Sequence, residues 1–213
     1  MKKVFLLAAI ICFAGSIFAQ SDKYKDAMKT NIALLDSIRG NGNGIELANK
    51  FERIGDAEKT QWLPYYYAAY STITQAYAEK DNSKKDAMAD KAQQLLDKAE
   101  TINGKENSET GVIKSMIATT HMRVDPQSRY MTYGPAISAA LDKSKSLDPK
   151  NPRPVLIEAE NTFFTPDAYG GGKDAAKKLF DQAKILNDNF KPETDLSANW
   201  GKTAIDYFLS QYK

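Results

Sequence analysis

The chain has 213 residues, with 29 Lys and Arg against 27 Asp and Glu, and His121 is its one histidine. A formal charge of +2 leaves no basic surplus to drive counterion release from nucleic acid, and no long run of Lys or Arg marks a helix lying on a membrane surface. Cys12 is the only cysteine, which excludes an internal disulfide.

Met1 to Gln20 reads as an export signal. Lys2 and Lys3 form a positive head, Val4 to Phe13 is apolar, and Ser16-Ile17-Phe18-Ala19 places cleavage after Ala19. The apolar run falls short of the ~20 residues that a membrane span needs. Ala9-Ile10-Ile11, ahead of Cys12, lacks the pattern that precedes a lipidated cysteine. A soluble periplasmic or secreted protein is expected, with no membrane insertion after cleavage. Loss of the leader takes Lys2, Lys3 and Cys12 with it, so 27 basic residues face 27 acidic ones in residues 20–213. A chain of about 190 residues suits one domain that buries roughly two-thirds of its surface.

The mature sequence shows no period-two alternation, and its apolar residues recur at helical spacing. A first helix is predicted from Asp22 to Ile38, with Tyr24, Met28, Ile32 and Leu35 on one face. Gly40 to Gly44 breaks it, and a second runs from about Ile45 to Lys59. The third spans about Gln61 to Lys80, with Pro64 in its first turn, where a missing N–H costs nothing. Asn82 or Ser83 caps the fourth, which stops near Asn103-Gly104. Ser108 to Val124 and Thr132 to Leu147 follow, joined by a connector predicted from Val124 to Tyr133. Pro149 ends that pair, Asn151 caps, and Pro152 starts the next, Pro152 to Phe164 and Gly172 to Asn187. A last helix, about Ser197 to Tyr212, carries Trp200, Ala204, Tyr207 or Phe208, and Tyr212.

One block returns about every forty residues. Ala48-x2-Phe51-x3-Gly55, Ala92-x2-Leu95-Leu96-x2-Ala99, Ile137-x2-Ala140-Leu141-x2-Ser144 and Ala176-x2-Leu179-Phe180-x2-Ala183 each set small residues beside large apolar ones on one helix face. Such recurrence marks an array of helical hairpins, in which each unit buries its apolar face only against its neighbours. The expected fold is all-α: a right-handed helical-hairpin solenoid of four hairpins with a C-terminal capping helix. Ala140-Leu141 through Asn151-Pro152, and Ala176-x3-Phe180-x2-Ala183, resemble the second helix and exit turn of a tetratricopeptide repeat. Ala69, Ser115 and Ala159 keep the small residue of the first helix. With the leader, Trp62-Leu63-Pro64-Tyr65-Tyr66-Tyr67, Tyr169-Gly170-Gly171-Gly172-Lys173 and Asn199-Trp200-Gly201, the chain resembles exported repeat proteins of Bacteroidetes. That resemblance implies a protein–protein scaffold and no catalytic residue.

Chemistry is sparse. His121 has neither a second histidine nor a mature cysteine to complete a metal site, and no serine sits in a nucleophile-elbow sequence. Gly170-Gly171-Gly172-Lys173 lacks the spacing and the Ser or Thr of a phosphate loop, so it reads as a turn feeding a helix, whose first amides would hold an anion only weakly. No enzyme activity, cofactor or metal is expected. Two binding surfaces remain. The connectors Val124 to Tyr133 and Thr165 to Lys173 should emerge on one edge, gathering Arg123, Arg129, Tyr130, Tyr133, Asp167, Tyr169 and Lys173 for a protein or peptide; alternatively, the arginines pin the connectors to the array. In a concave groove, Tyr66, Tyr70, Met116 and Glu160 would contact a peptide. Trp62 with Tyr65 to Tyr70 would serve a glycan in a second reading, or pack the core in a plainer one.

Overall fold

A computed structural model describes residues 22–39 and 43–212. The expected leader 1–19 lies outside these residues, as do 40–42 of the glycine-rich break. Among the described residues there is no strand, and the chain forms an all-α helical-repeat fold. The helices are α1 (22–32), α2 (Gly44–Glu58), α3 (Leu63–Ala78), α4 (Asn82–Asn103), α5 (Ser108–Val124), α6 (Pro126–Leu147), α7 (Arg153–Phe164), α8 (Lys173–Asn189) and α9 (Lys202–Ser210). From α2 onward each helix packs on the next, and α3, α5 and α7 also touch one another. α3, α5 and α7 therefore form an inner layer, with α2, α4, α6 and α8 outside it. No helix among the described residues is long and apolar enough to cross a membrane.

The recurring block is the buried stripe of each outer helix. Ala48 and Phe51, Ala92 and Leu96, Ile137 and Leu141, and Ala176 and Phe180 all enter the core. The small residues set how closely helices approach. A Cβ on Gly55 would meet the Tyr65 ring at 2.8 Å, and one on Gly111 of α5 would meet Ser144 of α6 at 3.1 Å. Inner helices pack on both sides, which is why α3 is buried from Pro64 to Thr74 without a break.

Local chemistry ends the helices. Asp81, one residue before the expected caps, accepts hydrogen bonds from the Ser83 and Lys84 amides at 2.9 and 3.2 Å. Gly104 closes α4 in the left-handed region at φ 74°. Asn107 and Thr110 form a reciprocal capping box on α5. Asn151 Oδ1 accepts from the Arg153 amide at 3.0 Å, as its place before Pro152 implied.

Three boundaries differ from expectation. The first helix ends at residue 32, and a 3-10 turn, Leu35–Ile38, carries Leu35 and Ile38 inward. The connector predicted from Val124 to Tyr133 is helical: Asp125 accepts from the Ser128 amide, Pro126 starts α6, and the helix runs on through Pro135. Arg129, Tyr130 and Tyr133 thus stand on a helix, because a Pro-initiated first turn needs no N–H where none would be bonded. The last helix begins only at Lys202, so Trp200 precedes it, outside any helix.

Phe180 is fully buried, its ring stacked on Phe208 at 4.7 Å and edge-on to Phe163 at 6.2 Å. It joins α7, α8 and α9. Phe180→Ala should cost ~3–5 kcal/mol in urea unfolding, the range for deleting a buried ring.

Candidate functional site

The inner helices run parallel, since their like ends meet. At their C-terminal ends the Arg123 guanidinium lies over the Tyr77 ring at 4.9 Å and the Phe164 ring at 5.7 Å. At their N-terminal ends, Tyr66, Glu109 and Arg153 converge. The Arg153 side chain, 1% exposed, gives Nε to both Glu109 oxygens at 2.7 and 2.8 Å. Tyr66 donates to Glu109 Oε2 at 2.7 Å, and Asn151 donates to Oε1 at 2.7 Å. Burial, reinforced by Glu109, pushes the Tyr66 hydroxyl well above the usual tyrosine value.

The four residues expected to line an open groove are all buried: Tyr66, Tyr70, Met116 and Glu160. The chain's own ends fill that space. Trp200 stacks on Tyr70 at 4.3 Å and donates its indole N–H to the Tyr66 oxygen at 2.8 Å. Tyr67 donates to the Leu196 carbonyl at 2.7 Å, and Phe190 lies 4.5 Å from the Arg153 guanidinium. From the other end, Arg39 reaches in and donates to Glu160 at 2.7 Å. The Tyr65 to Tyr70 rings are covered in the same way and Trp62 is half-buried, so core packing accounts for the aromatic cluster.

The helix-end ridge is a mixture of pinned and free side chains. Arg129 donates to both Asp86 oxygens at 2.7 and 2.8 Å and to the His121 carbonyl at 3.1 Å. His121 Nδ1 lies 2.9 Å from the same carboxylate, and its ring stacks on Tyr133 at 5.2 Å. These contacts tie the first turns of α6 to α4 and α5. Asp167 sits in a 3-10 turn before α8, where a Cβ on Gly172 would collide with its carboxylate. Lys173 lies over the Tyr212 ring at 5.1 Å. Two side chains stand free in solvent, Tyr130 at 61% exposure and Tyr169 at 82%. Among the described residues no three His, Cys, Asp or Glu side chains gather to hold a metal.

A groove on the outer side, between α2 and α4, has no counterpart in the sequence reading. It encloses about 250 Å³. Ile45, Ala48 and Asn49 of α2 form one wall, Ala87, Met88 and Leu95 of α4 the other, and Thr72 of α3 the floor. Lys84, Lys91 and Glu52 stand at the rim, with Lys91 Nζ 2.9 Å from Glu52. Its visible trace in the sequence is a pair of stripes, Ile45-x2-Ala48-Asn49-x2-Glu52 and Lys84-x2-Ala87-Met88-x2-Lys91, whose alanines leave the gap.

Two measurements test these contacts. Glu109→Gln leaves the buried Arg153 charge uncompensated and should cost ~3–5 kcal/mol, whereas Glu109→Leu combined with Arg153→Met should recover only part of that, because the Tyr66 hydroxyl and the Asn151 amide lose their acceptor. Arg129 is the main cause of an Asp86 pKa below the ordinary carboxyl value; partial burial opposes it and His121 adds to it. Because the folded value is the lower one, this stabilisation is complete above the unfolded pKa and fades as pH falls through the folded value. The Tm gap between wild type and Asp86→Asn should therefore hold at neutral pH and close below about pH 4.

No family model matches the sequence, and no curated protein matches it. Among solved structures, the HusA haemophore from Porphyromonas gingivalis superposes with a TM-score of 0.76 at 30% identity, covering 89% of this chain and 92% of that one. Its source is a member of the Bacteroidetes, the group to which the sequence resemblance pointed. At that identity and coverage, the chain belongs to the family of the HusA haemophore.

Proposed function

We propose that this chain is an exported, non-catalytic haem-binding protein whose residues 20–213 form one right-handed, tetratricopeptide-like domain behind a leader cleaved after Ala19. The kinship with a haemophore over 92% of that protein's length carries the reading. The α2–α4 groove is the seat that suits it best. It joins largely apolar walls, over Thr72, to a few polar groups at the rim, the usual make-up of a small-molecule site. A flat apolar ring would lie against Ile45, Ala87 and Met88, with anionic substituents at Lys84 and Lys91. The filled inner face leaves no comparable space for a peptide or sugar. A protein partner has a separate surface, the ridge where Tyr130 and Tyr169 project.

Haem titrated into the purified protein should shift and sharpen the Soret band to a saturating endpoint. Ala87 is exposed at the groove mouth, so Ala87→Trp should fill the groove and weaken binding at least tenfold with an unchanged Tm. Undiminished binding by that variant would place haem elsewhere. Tyr169→Ala, on the ridge, should leave the titration as it was.

A further inference from the structure

Lys84, Lys91 and Lys98 are spaced seven residues apart along α4. Seven residues are almost two helical turns, so the three stems share a face and their origins rise ~10 Å apart. Facing them from α2 is one carboxylate, Glu52, whose Oε1 lies 2.9 Å from Lys91 and 3.4 Å from Lys98. Lys84 forms no ion pair among the described residues. The other acids nearby have partners of their own: Glu46 pairs with Lys50 at 2.7 Å, Asp56 accepts from Tyr65 at 2.7 Å, Asp81 accepts from the Ser83 and Lys84 amides, and Glu79 accepts from the Lys80 and Asp81 amides and feels the Lys84 charge only at longer range. Glu52 is thus the one carboxylate at ion-pair distance from this row, and it reaches Lys91 and Lys98 but not Lys84.

We propose that this lysine row selects the ligand by its carboxylates, and that Glu52 is a built-in competitor holding Lys91 until a ligand carboxylate replaces it. The inference rests on the haem reading and narrows it to tetrapyrroles bearing two acid groups on one edge, one meeting Lys84 and the other Lys91. The ring's apolar area fills the groove, and the acids set which edge faces the α4 rim. In the empty groove Glu52 keeps the Lys91 ammonium from turning away into solvent. Ligand entry exchanges one carboxylate for another at that ammonium, while Lys84 gains a carboxylate at ion-pair distance.

The test compares a metal-free protoporphyrin as the free diacid and as its dimethyl ester, titrated by fluorescence at two salt concentrations. The ring is the same in both, and iron ligation plays no part. The diacid should bind the wild type more tightly than the ester, with an advantage that shrinks in high salt. Lys84→Ala and Lys91→Ala should each weaken the diacid about threefold and leave the ester unchanged. Glu52→Gln should tighten the diacid by a similar factor, again without effect on the ester. Circular dichroism melts would show that these rim substitutions leave the fold intact. If diacid and ester bind equally while Ala87→Trp abolishes both, the groove reading stands and the lysine row has no selective role. If Ala87→Trp changes neither titration, both readings fail.

Discussion

The Glu109 carboxylate is the point on which the inner layer depends. It receives Arg153 from α7, Tyr66 from α3 and Asn151 from the α6–α7 turn, and so binds three successive repeats to one half-buried anion. A charge so placed is tolerable only when its lone pairs are filled and a cation lies against it. Both conditions fix the register of the parallel helices, since a slide of one turn would strand the Arg153 guanidinium among apolar groups. Trp200 completes the arrangement by donating to the Tyr66 oxygen, whose proton is already given to Glu109.

That arrangement also closes the inner face of the array. In a helical-hairpin array the inner face is the customary place for a bound peptide. Here the chain supplies the occupant itself. The segment from Phe190 to Trp200 lies against α3 and α7, and Arg39 enters from the opposite end. Intramolecular occupancy works at an effective concentration that a free peptide would struggle to match. Among the described residues, the outer groove between α2 and α4 and the ridge at the ends of the inner helices stay accessible.

The recurring small-and-large block was sufficient to identify the buried stripe of every outer helix, because that stripe is a local property with a 3.6-residue period. The turns at Gly104 and Asn151 were equally legible, each resting on chemistry within three or four residues. Asp125-Pro126-Gln127-Ser128 was the local signal that went unread: an acid cap, a proline at the first turn and a capped amide together start a helix. Non-local facts were out of reach. Nothing near Trp200 in sequence tells that it stacks on Tyr70, and nothing in α4 alone shows that Ala87 faces Ala48 across a gap. The tyrosine-rich start of α3 illustrates the ambiguity, since the same rings that would suit a sugar are the ones that best fill an inner face.

The two ends of the chain are buckled to each other as well as to the array. Lys29 pairs with Asp195 at 2.8 Å, and Thr203 donates to Asp36 at 2.9 Å. Arrays of this kind ordinarily lengthen by duplicating a unit, because each unit touches only its neighbours. This one is closed by a clasp whose halves lie more than 160 residues apart in the chain, and an extra hairpin in the middle would carry those halves out of reach. The clasp therefore ties the fold to the present number of hairpins.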